Sequence, residues 1–217
     1  MNASQVESFT VYAGSYDIVL SQVDFYRQLH MDTAQYLKGC PRLLDLGTGT
    51  GNLLTLAKNR FRVGIDRNPD MLRYAAKKRH GARLCMQAIG SLGFTDSSFD
   101  ALACLNVLYT EEKPVEVLAE FYRVLAPTGL LVLSGPVPNP DLDLLERKAR
   151  AQVKDPDLVP YLDRVVAASR RIIAERRNTL DAPQLERILT SELGFESVVK
   201  SHHDYYHGQS YFLIAKK

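Results

Sequence analysis

Residues 43–51 form the stretch that most restricts what this chain can fold into, and they read Leu-Leu-Asp-Leu-Gly-Thr-Gly-Thr-Gly. The leucines suit a strand buried on both faces, as in a parallel sheet covered by helices. Glycine at every second position permits a tight turn through which a ligand can approach the backbone. Residues 52–58 are helix-like, so free N–H groups at the start of that helix would face such a ligand.

Strand-like and helix-like segments alternate regularly along the chain. The predicted strands cover residues 42–46, 62–66, 83–87, 101–105, 130–134, 195–202 and 210–215. Helices are predicted over 69–79 and 114–125, each with a proline in its first turn, where the missing N–H costs little. Repeats of strand, helix and strand predict right-handed crossovers and a mainly parallel α/β sheet.

The composition limits the class of protein and its partners. With 217 residues, 46% of them hydrophobic, the chain can form one complete α/β domain. Its 27 basic and 25 acidic side chains leave a net charge of +2, which gives no electrostatic reason to expect nucleic acid or a membrane as partner. No signal-like or membrane-spanning apolar run is present, and the three cysteines lack CxxC spacing. We therefore expect a single cytoplasmic domain covering residues 1–217.

The spacing of the glycines distinguishes two families of cofactor users. A dinucleotide-binding fold requires G-x-G-x-x-G, whose third glycine would fall at Asn52. Residues 45–51 instead read Asp-x-Gly-x-Gly-x-Gly, and a second acid, Asp66, closes the next predicted strand. This pattern resembles the first motif of class I S-adenosylmethionine-dependent methyltransferases. Good motif matches extend over residues 12–134, and the region from 181 onward matches by pattern only.

The resemblance implies a Rossmann-like, mainly parallel seven-stranded sheet with helices on both faces and an antiparallel last strand. It also implies S-adenosylmethionine as cofactor and S-adenosylhomocysteine as product. The resemblance also implies which residues bind the cofactor. At the matching positions these candidates are Asp45, Gly47, Thr48, Gly49, Gly51, Asp66, Arg67, Met71, Ala88, Ile89, Leu105 and Tyr16.

Two of these positions concern the nucleoside. Asp66 can accept both ribose hydroxyls, and its alternative role is to cap the following helix, for which Asn68 is better placed. Ala88 stands where the family usually has an acid that accepts from the adenine amino group. That contact is therefore missing, moved to Gln87, or made by backbone groups around Ala88 and Ile89.

Two segments are candidates for covering the methyl acceptor. Residues up to about 40 resemble the N-terminal lid of small-molecule methyltransferases, with Tyr12 and Tyr16 over the ligand. The alternative is a helix that packs on the sheet with both tyrosines at its edge. Residues 135–180 contain two charged helical stretches, near 142–153 and 158–177, that would form a cap over the sheet edge or a dimer contact.

The hairpin tip over residues 202–208 carries three histidines and two tyrosines. The candidate catalytic residues are His202, His203 and Tyr109, and the candidate substrate contacts are Asn106, Tyr12 and Tyr206. Exposed loop polarity explains the hairpin equally well, and capping of the next helix is the alternative for Asn106 and Tyr109.

These patterns lead to the hypothesis of methyl transfer to oxygen, nitrogen or carbon of a small molecule, by a monomer or homodimer. No metal is implied, because the predicted fifth strand ends in Ser-Gly-Pro and lacks the acids of catechol-type enzymes. One alternative is a cofactor-binding module without catalysis. The other is an NAD(P)-dependent oxidoreductase, which Asn52 disfavours.

Overall fold

The computed structural model describes residues 13–78, 80–201 and 203–217. Seven strands form one sheet: β1 (Arg42–Leu46), β2 (Phe61–Asp66), β3 (Arg83–Met86), β4 (Phe99–Leu105), β5 (Leu125–Pro136), β6 (Ser197–Lys200) and β7 (Ser210–Lys216). Their order across the sheet is β3-β2-β1-β4-β5-β7-β6.

Helices cover both faces of this sheet and its carboxyl edge. They are α1 (13–20), α2 (Asp24–Tyr36), α3 (Asn52–Leu56), α4 (Pro69–Lys77), α5 (Pro114–Val124), α6 (Leu142–Gln152), α7 (Val159–Ala174) and α8 (Ala182–Arg187). Prolines stand in the first turn of α4 and α5, as the sequence predicts.

The strand directions confirm the predicted fold class. Strands β1 to β5 are mutually parallel where they pair, whereas β7 runs antiparallel to both β5 and β6. The strand order reverses between β1 and β4, and ligands of open α/β sheets bind outside the carboxyl ends of the strands at such a point. The topology therefore places the binding cleft at the ends of β1 and β4.

Three predicted boundaries are corrected by the structure. The predicted strand over 195–202 is shorter, because Phe195 is buried in the core below its start and the chain leaves the sheet after Lys200. The N-terminal segment, for which one helix was the alternative to a lid, contains two helices, since the chain turns at residues 21–23 between α1 and α2. β5 is longer than predicted at both ends and begins at Leu125.

Three apolar clusters hold the molecule together. One lies on the sheet face covered by α5 and α8, and includes Phe99, Phe121 and Leu189. A second lies on the opposite face under α2 and α3. The third joins α1 and α2 to α6 and α7 through side chains such as Val19 and Leu162. The predicted lid and cap therefore share one packed interior above the sheet edge.

In the described part of the chain, none of the helices combines the length and apolar character needed to span a bilayer.

Candidate active site

A cavity of about 250 Å³ lies at the carboxyl ends of β1, β2 and β4 and continues under α6 and α7. The candidate residues that line it are Asp45, Gly47, Thr48, Gly49, Asp66, Arg67, Met71, Ile89, Leu105, Tyr16, Asn106, Tyr109 and Tyr206. Gly51, Ala88 and His203 do not line it. Tyr12 and His202 lie outside the described residues.

The glycine-rich loop after β1 supplies the floor of the cavity. Gly47 has φ +72°, and a Cβ there would lie 2.5 Å from Val107 Cγ2, so glycine is required at this position. Gly49 has φ +54°, yet a Cβ there would meet only Met71 Sδ, at 3.9 Å. The loop therefore presents bare backbone to the cavity at Gly49, where a ligand can approach it.

Asp45 lies buried beneath this loop. Its Oδ2 accepts a hydrogen bond of 2.6 Å from the Thr48 hydroxyl. Burial raises the pKa of Asp45 to about 7, and the nearby Asp66 carboxylate adds to the rise in this pKa. A cationic group in the cavity would favour the ionised form of Asp45, so the site suits a ligand ammonium.

Asp66 ends β2 and is fixed by backbone donors on both oxygens. Gly49 N donates to Oδ2 at 2.9 Å, and Asn68 N donates to Oδ1 at 2.8 Å. Burial raises the pKa of this carboxyl, whereas these two N–H groups favour its charged form. Asn68 is the cap of α4, accepting from Asp70 N and Met71 N. Asp66 retains lone pairs for ligand hydroxyls, because each carboxylate oxygen can accept more than one hydrogen bond.

The wall beyond Asp66 is apolar, with buried Met71 and Ile89 side chains. Gln87 lines the cavity here, whereas the Ala88 side chain is exposed and points to no part of it. The Gln87 amide is held by donation from Nε2 to Ser91 O at 3.2 Å. A side-chain amide, which can both donate and accept, therefore lines the cavity one residue before the position that carries the acid in the family.

A polar network ties the N-terminal helices to the glycine-rich loop. Asp17 Oδ1 accepts from Thr50 Oγ1 at 2.5 Å and from Asn52 Nδ2 at 3.0 Å. Lys78 Nζ pairs with Asp17 Oδ2 at 2.8 Å and also contacts Asn52 Oδ1. Asn52 donates to the Tyr26 hydroxyl at 2.8 Å. Asn52, where a dinucleotide fold would have glycine, thus links α1 and α2 to the loop.

His30 is a buried imidazole on the same wall of the cavity. Its Nδ1 lies 2.9 Å from Tyr26 O, and since a carbonyl only accepts, Nδ1 carries the proton in the neutral ring. Burial lowers the pKa of His30 to about 4. The ring is therefore neutral at pH 7, with an unprotonated Nε2.

Asn106 and Tyr206 meet where β4 ends and the turn before β7 begins. Asn106 Nδ2 donates to Tyr206 Oη at 3.4 Å, and Asn106 N donates to Ser134 O at 2.8 Å. Both residues have positive φ, 58° and 52°, a conformation that is uncommon for non-glycine residues and concentrated at functional sites. Burial raises the pKa of the Tyr206 hydroxyl, which therefore stays protonated and able to donate.

The upper wall comes from α6 and α7. Leu145 and Ala149 of α6 and Leu162, Val165 and Val166 of α7 face the cavity with apolar side chains. Leu20 of α1 and Phe25 of α2 complete this wall, which lines one continuous space with the glycine-rich loop.

His203 is exposed, with its ring against Tyr205 at a centroid distance of 5.9 Å. Tyr205 turns away from the cavity and donates to Asp32 Oδ2 at 2.7 Å. Of the described hairpin residues named as candidates, only Tyr206 reaches the cavity, and we leave His203 out of the proposed site.

Known proteins similar to this chain are methyltransferases. Residues 44–133 match the model of a methyltransferase domain family. A demethylmenaquinone methyltransferase of Thermus thermophilus is 29% identical over 206 residues, which are 86% of this chain and 90% of that protein. The chain is a class I S-adenosylmethionine-dependent methyltransferase.

Solved structures of methyltransferases share the fold. A possible histamine N-methyltransferase from Thermotoga maritima aligns with a TM-score of 0.70 at 16% identity, over 98% of this chain and 99% of that one. The magnesium protoporphyrin IX methyltransferase of Synechocystis, solved with bound S-adenosylhomocysteine, aligns with a TM-score of 0.61 at 18% identity, over 89% and 83% of the two chains. Neither alternative raised from the sequence, an oxidoreductase or a non-catalytic module, gains support.

S-adenosylmethionine is the cofactor of this methyltransferase, and the residues present fit it. Asp45 and Asp66 supply acceptors, Gly49 leaves the backbone accessible, and Met71 and Ile89 supply apolar surface. When bound, the cofactor supplies a methyl group already activated by a sulfonium centre.

Sequence reasoning missed the polar network around Asp17 and the positions of His30 and Phe25 on the cavity wall. Asp17 lies 33 and 35 residues from its partners Thr50 and Asn52, so no local pattern marks the contact. Phe25 and His30 lie in an amphipathic helix, where ordinary core packing explains the same pattern.

Proposed function

We propose that this methyltransferase transfers the methyl group to a small acceptor with an apolar body, without a metal ion. The observation that carries the proposal is the continuity of the cavity from Gly49 and Asp66 to the apolar wall of α6 and α7. An acceptor with an apolar body would bury that body under the cap and bring one nucleophilic atom to the cofactor.

In this proposal residues up to about 40 act as the lid, and residues 135–180 act as the acceptor cap. The shared cluster of Val19, Leu162 and Val165 supports a joint role, because lid and cap close the same space. Closing that space excludes water, which strengthens polar contacts to the acceptor.

The polar contacts proposed for the acceptor are Asn106, Tyr206, Tyr109 and His30. The protonated Tyr206 hydroxyl can donate to an acceptor oxygen, and the neutral His30 can accept through Nε2. These groups would align the acceptor lone pair, or a ring carbon, with the methyl group, while the hydrogen it replaces leaves as a proton. The acceptor atom can be oxygen, nitrogen or carbon.

The Thermus relative, named for demethylmenaquinone, favours a quinone-like ring as the first class of acceptor to test. Such a ring combines an apolar body with hydroxyl or carbonyl oxygens. It would satisfy both the apolar wall and the donor at Tyr206.

Labelled methyl transfer to hydroquinones, phenols, carboxylates and amines tests the proposal. We expect apolar ring compounds to accept the label. Val166→Phe, which fills the cap end of the cavity, should lower transfer about tenfold or more and leave S-adenosylhomocysteine affinity within about twofold. Val199→Phe, on an exposed position of edge strand β6, is the matched control and should change neither. Transfer only to small hydrophilic amines, undiminished by Val166→Phe, would contradict the proposal.

A further inference from the structure

The adenine end of the cofactor site departs from the family, because Ala88 offers no acid and its side chain is exposed. A different charged group lies at this place. Arg67 follows the ribose acid Asp66 directly and lines the cavity, and its side chain is only 21% exposed. A largely buried cation beside the nucleoside site is costly unless an oppositely charged or hydrogen-bonding group pairs with it.

Glu111 is that partner. It follows the short helical turn Leu108–Thr110 after β4, and its Oε1 forms an ion pair with Arg67 Nη2. The Glu111 side chain is 15% exposed, so the pair is shielded from solvent. Thr110 Oγ1 lies 3.4 Å from the same carboxylate oxygen.

The turn that carries Glu111 is fixed from a distant part of the chain. Asn178 Nδ2 donates to Leu108 O and to Glu111 O, both at 2.9 Å. The other carboxylate oxygen of Glu111 lies beside Gly90, 4.0 Å from where a Cβ would stand. Glu111 therefore bridges the segment after β2 and the segment after β3, which are the two sides of the nucleoside site.

We propose that Arg67, oriented by Glu111, recognises the adenine of the cofactor in place of the acid that Ala88 lacks. A guanidinium is planar and carries only donors, so it can lie against a purine ring and donate to ring nitrogens or to an exocyclic oxygen. Recognition by an acid placed at position 6 selects a 6-amino purine, because an amino group there can donate to the acid and an oxo group cannot. Recognition by Arg67 lacks this selectivity.

Calorimetric titration of the full chain with S-adenosylhomocysteine and with its 6-oxo analogue, S-inosylhomocysteine, tests the proposal. We expect wild-type affinities within about threefold of each other. Arg67→Met should weaken both by about tenfold or more. Arg73→Met is the matched control, since Arg73 is an exposed arginine of α4 paired with Asp70, and it should change neither.

Glu111→Gln tests whether Glu111 positions Arg67. It also gives a second route to the same loss of affinity if Arg67→Met fails to fold. Alone it should weaken both ligands about threefold to tenfold, and in the Arg67→Met background it should add almost nothing, because its effect acts through Arg67. Two results would overturn the proposal: Arg67→Met with both affinities within twofold of wild type, or a wild type that binds the 6-oxo analogue more than thirtyfold more weakly.

Discussion

The cofactor half and the proposed acceptor half of the cavity are built in different ways. The cofactor half consists of loops that leave adjacent parallel strands, with Gly49 and Asp66 held to each other by one hydrogen bond. The acceptor half consists of side chains from two helices near the N-terminus and two helices between β5 and β6. Backbone geometry therefore fixes the first half, and packing between distant segments fixes the second. Variants can test this difference directly.

Gly47→Ala should have the largest effect, and it belongs to the cofactor half. The new Cβ combines a positive φ with a 2.5 Å approach to Val107 Cγ2, so we expect a loss of about 2 to 5 kcal/mol in the free energy of unfolding. Chemical denaturation measures this loss. Adding Val107→Ala removes the clashing methyl groups and should restore part of it; no recovery would show that the clash is not the cause.

Leu162→Ala probes the acceptor half. Leu162 is 1% exposed in the cluster shared by lid and cap, so truncation should cost about 2 to 4 kcal/mol of unfolding free energy. Affinity for S-adenosylhomocysteine, measured by calorimetry under folding conditions, should stay within about twofold. A large loss of that affinity would mean that the two halves are not separable.

Asp66→Ala should weaken S-adenosylhomocysteine binding by about 1 to 3 kcal/mol, because it removes an acceptor for ligand hydroxyls and frees Gly49 N. Asp70→Ala, which removes the half-buried partner of the exposed Arg73 on α4, serves as control. Unchanged affinity in Asp66→Ala would overturn the assignment of Asp66 to the ribose.

Asp45→Asn should show a pH-dependent effect on stability. The folded pKa of about 7 lies above the ordinary value of 3.8, so the protonated carboxyl stabilises the fold fully below pH 3.8, and this contribution is lost as the pH rises through 7. Asparagine has no such proton to lose. We compare the unfolding free energy of the variant with that of wild type at each pH. Between pH 4 and pH 8 we expect this difference to shift by about 1 to 3 kcal/mol in favour of the variant, because only wild type loses stability. Parallel stability curves from pH 4 to 8 would contradict the raised pKa.

The difference between the halves also explains what the sequence could predict. β1 begins and ends at the predicted residues. Pro41 on one side and the glycines on the other leave only this short leucine-rich segment for the strand. The stripe of α5, including Val117 and Phe121, is buried as its spacing predicts. For such elements, the pattern of neighbouring residues is sufficient to predict the secondary structure and its buried face.

The acceptor half needed information that no local pattern holds. Val19 and Val165 pack in one cluster although they are far apart in the sequence. The hairpin prediction named His203 as catalytic and Tyr206 as a substrate contact, yet of these two only Tyr206 lines the cavity, and the neighbouring Tyr205 packs under α2. The left-handed backbone conformation at Tyr206 and His207 directs the Tyr205 and Tyr206 side chains to different places. Sequence alone does not predict this conformation, because it is uncommon for bulky residues.

A crystal structure with bound S-adenosylhomocysteine tests the central claim most directly, namely that one cavity has a cofactor half and a separate acceptor half. The account predicts the ligand against Gly49, Asp45 and Asp66, with the space beneath Leu145 and Val166 left open for the acceptor. Ligand density that fills the space under α6 and α7, or that avoids Asp66, would contradict it.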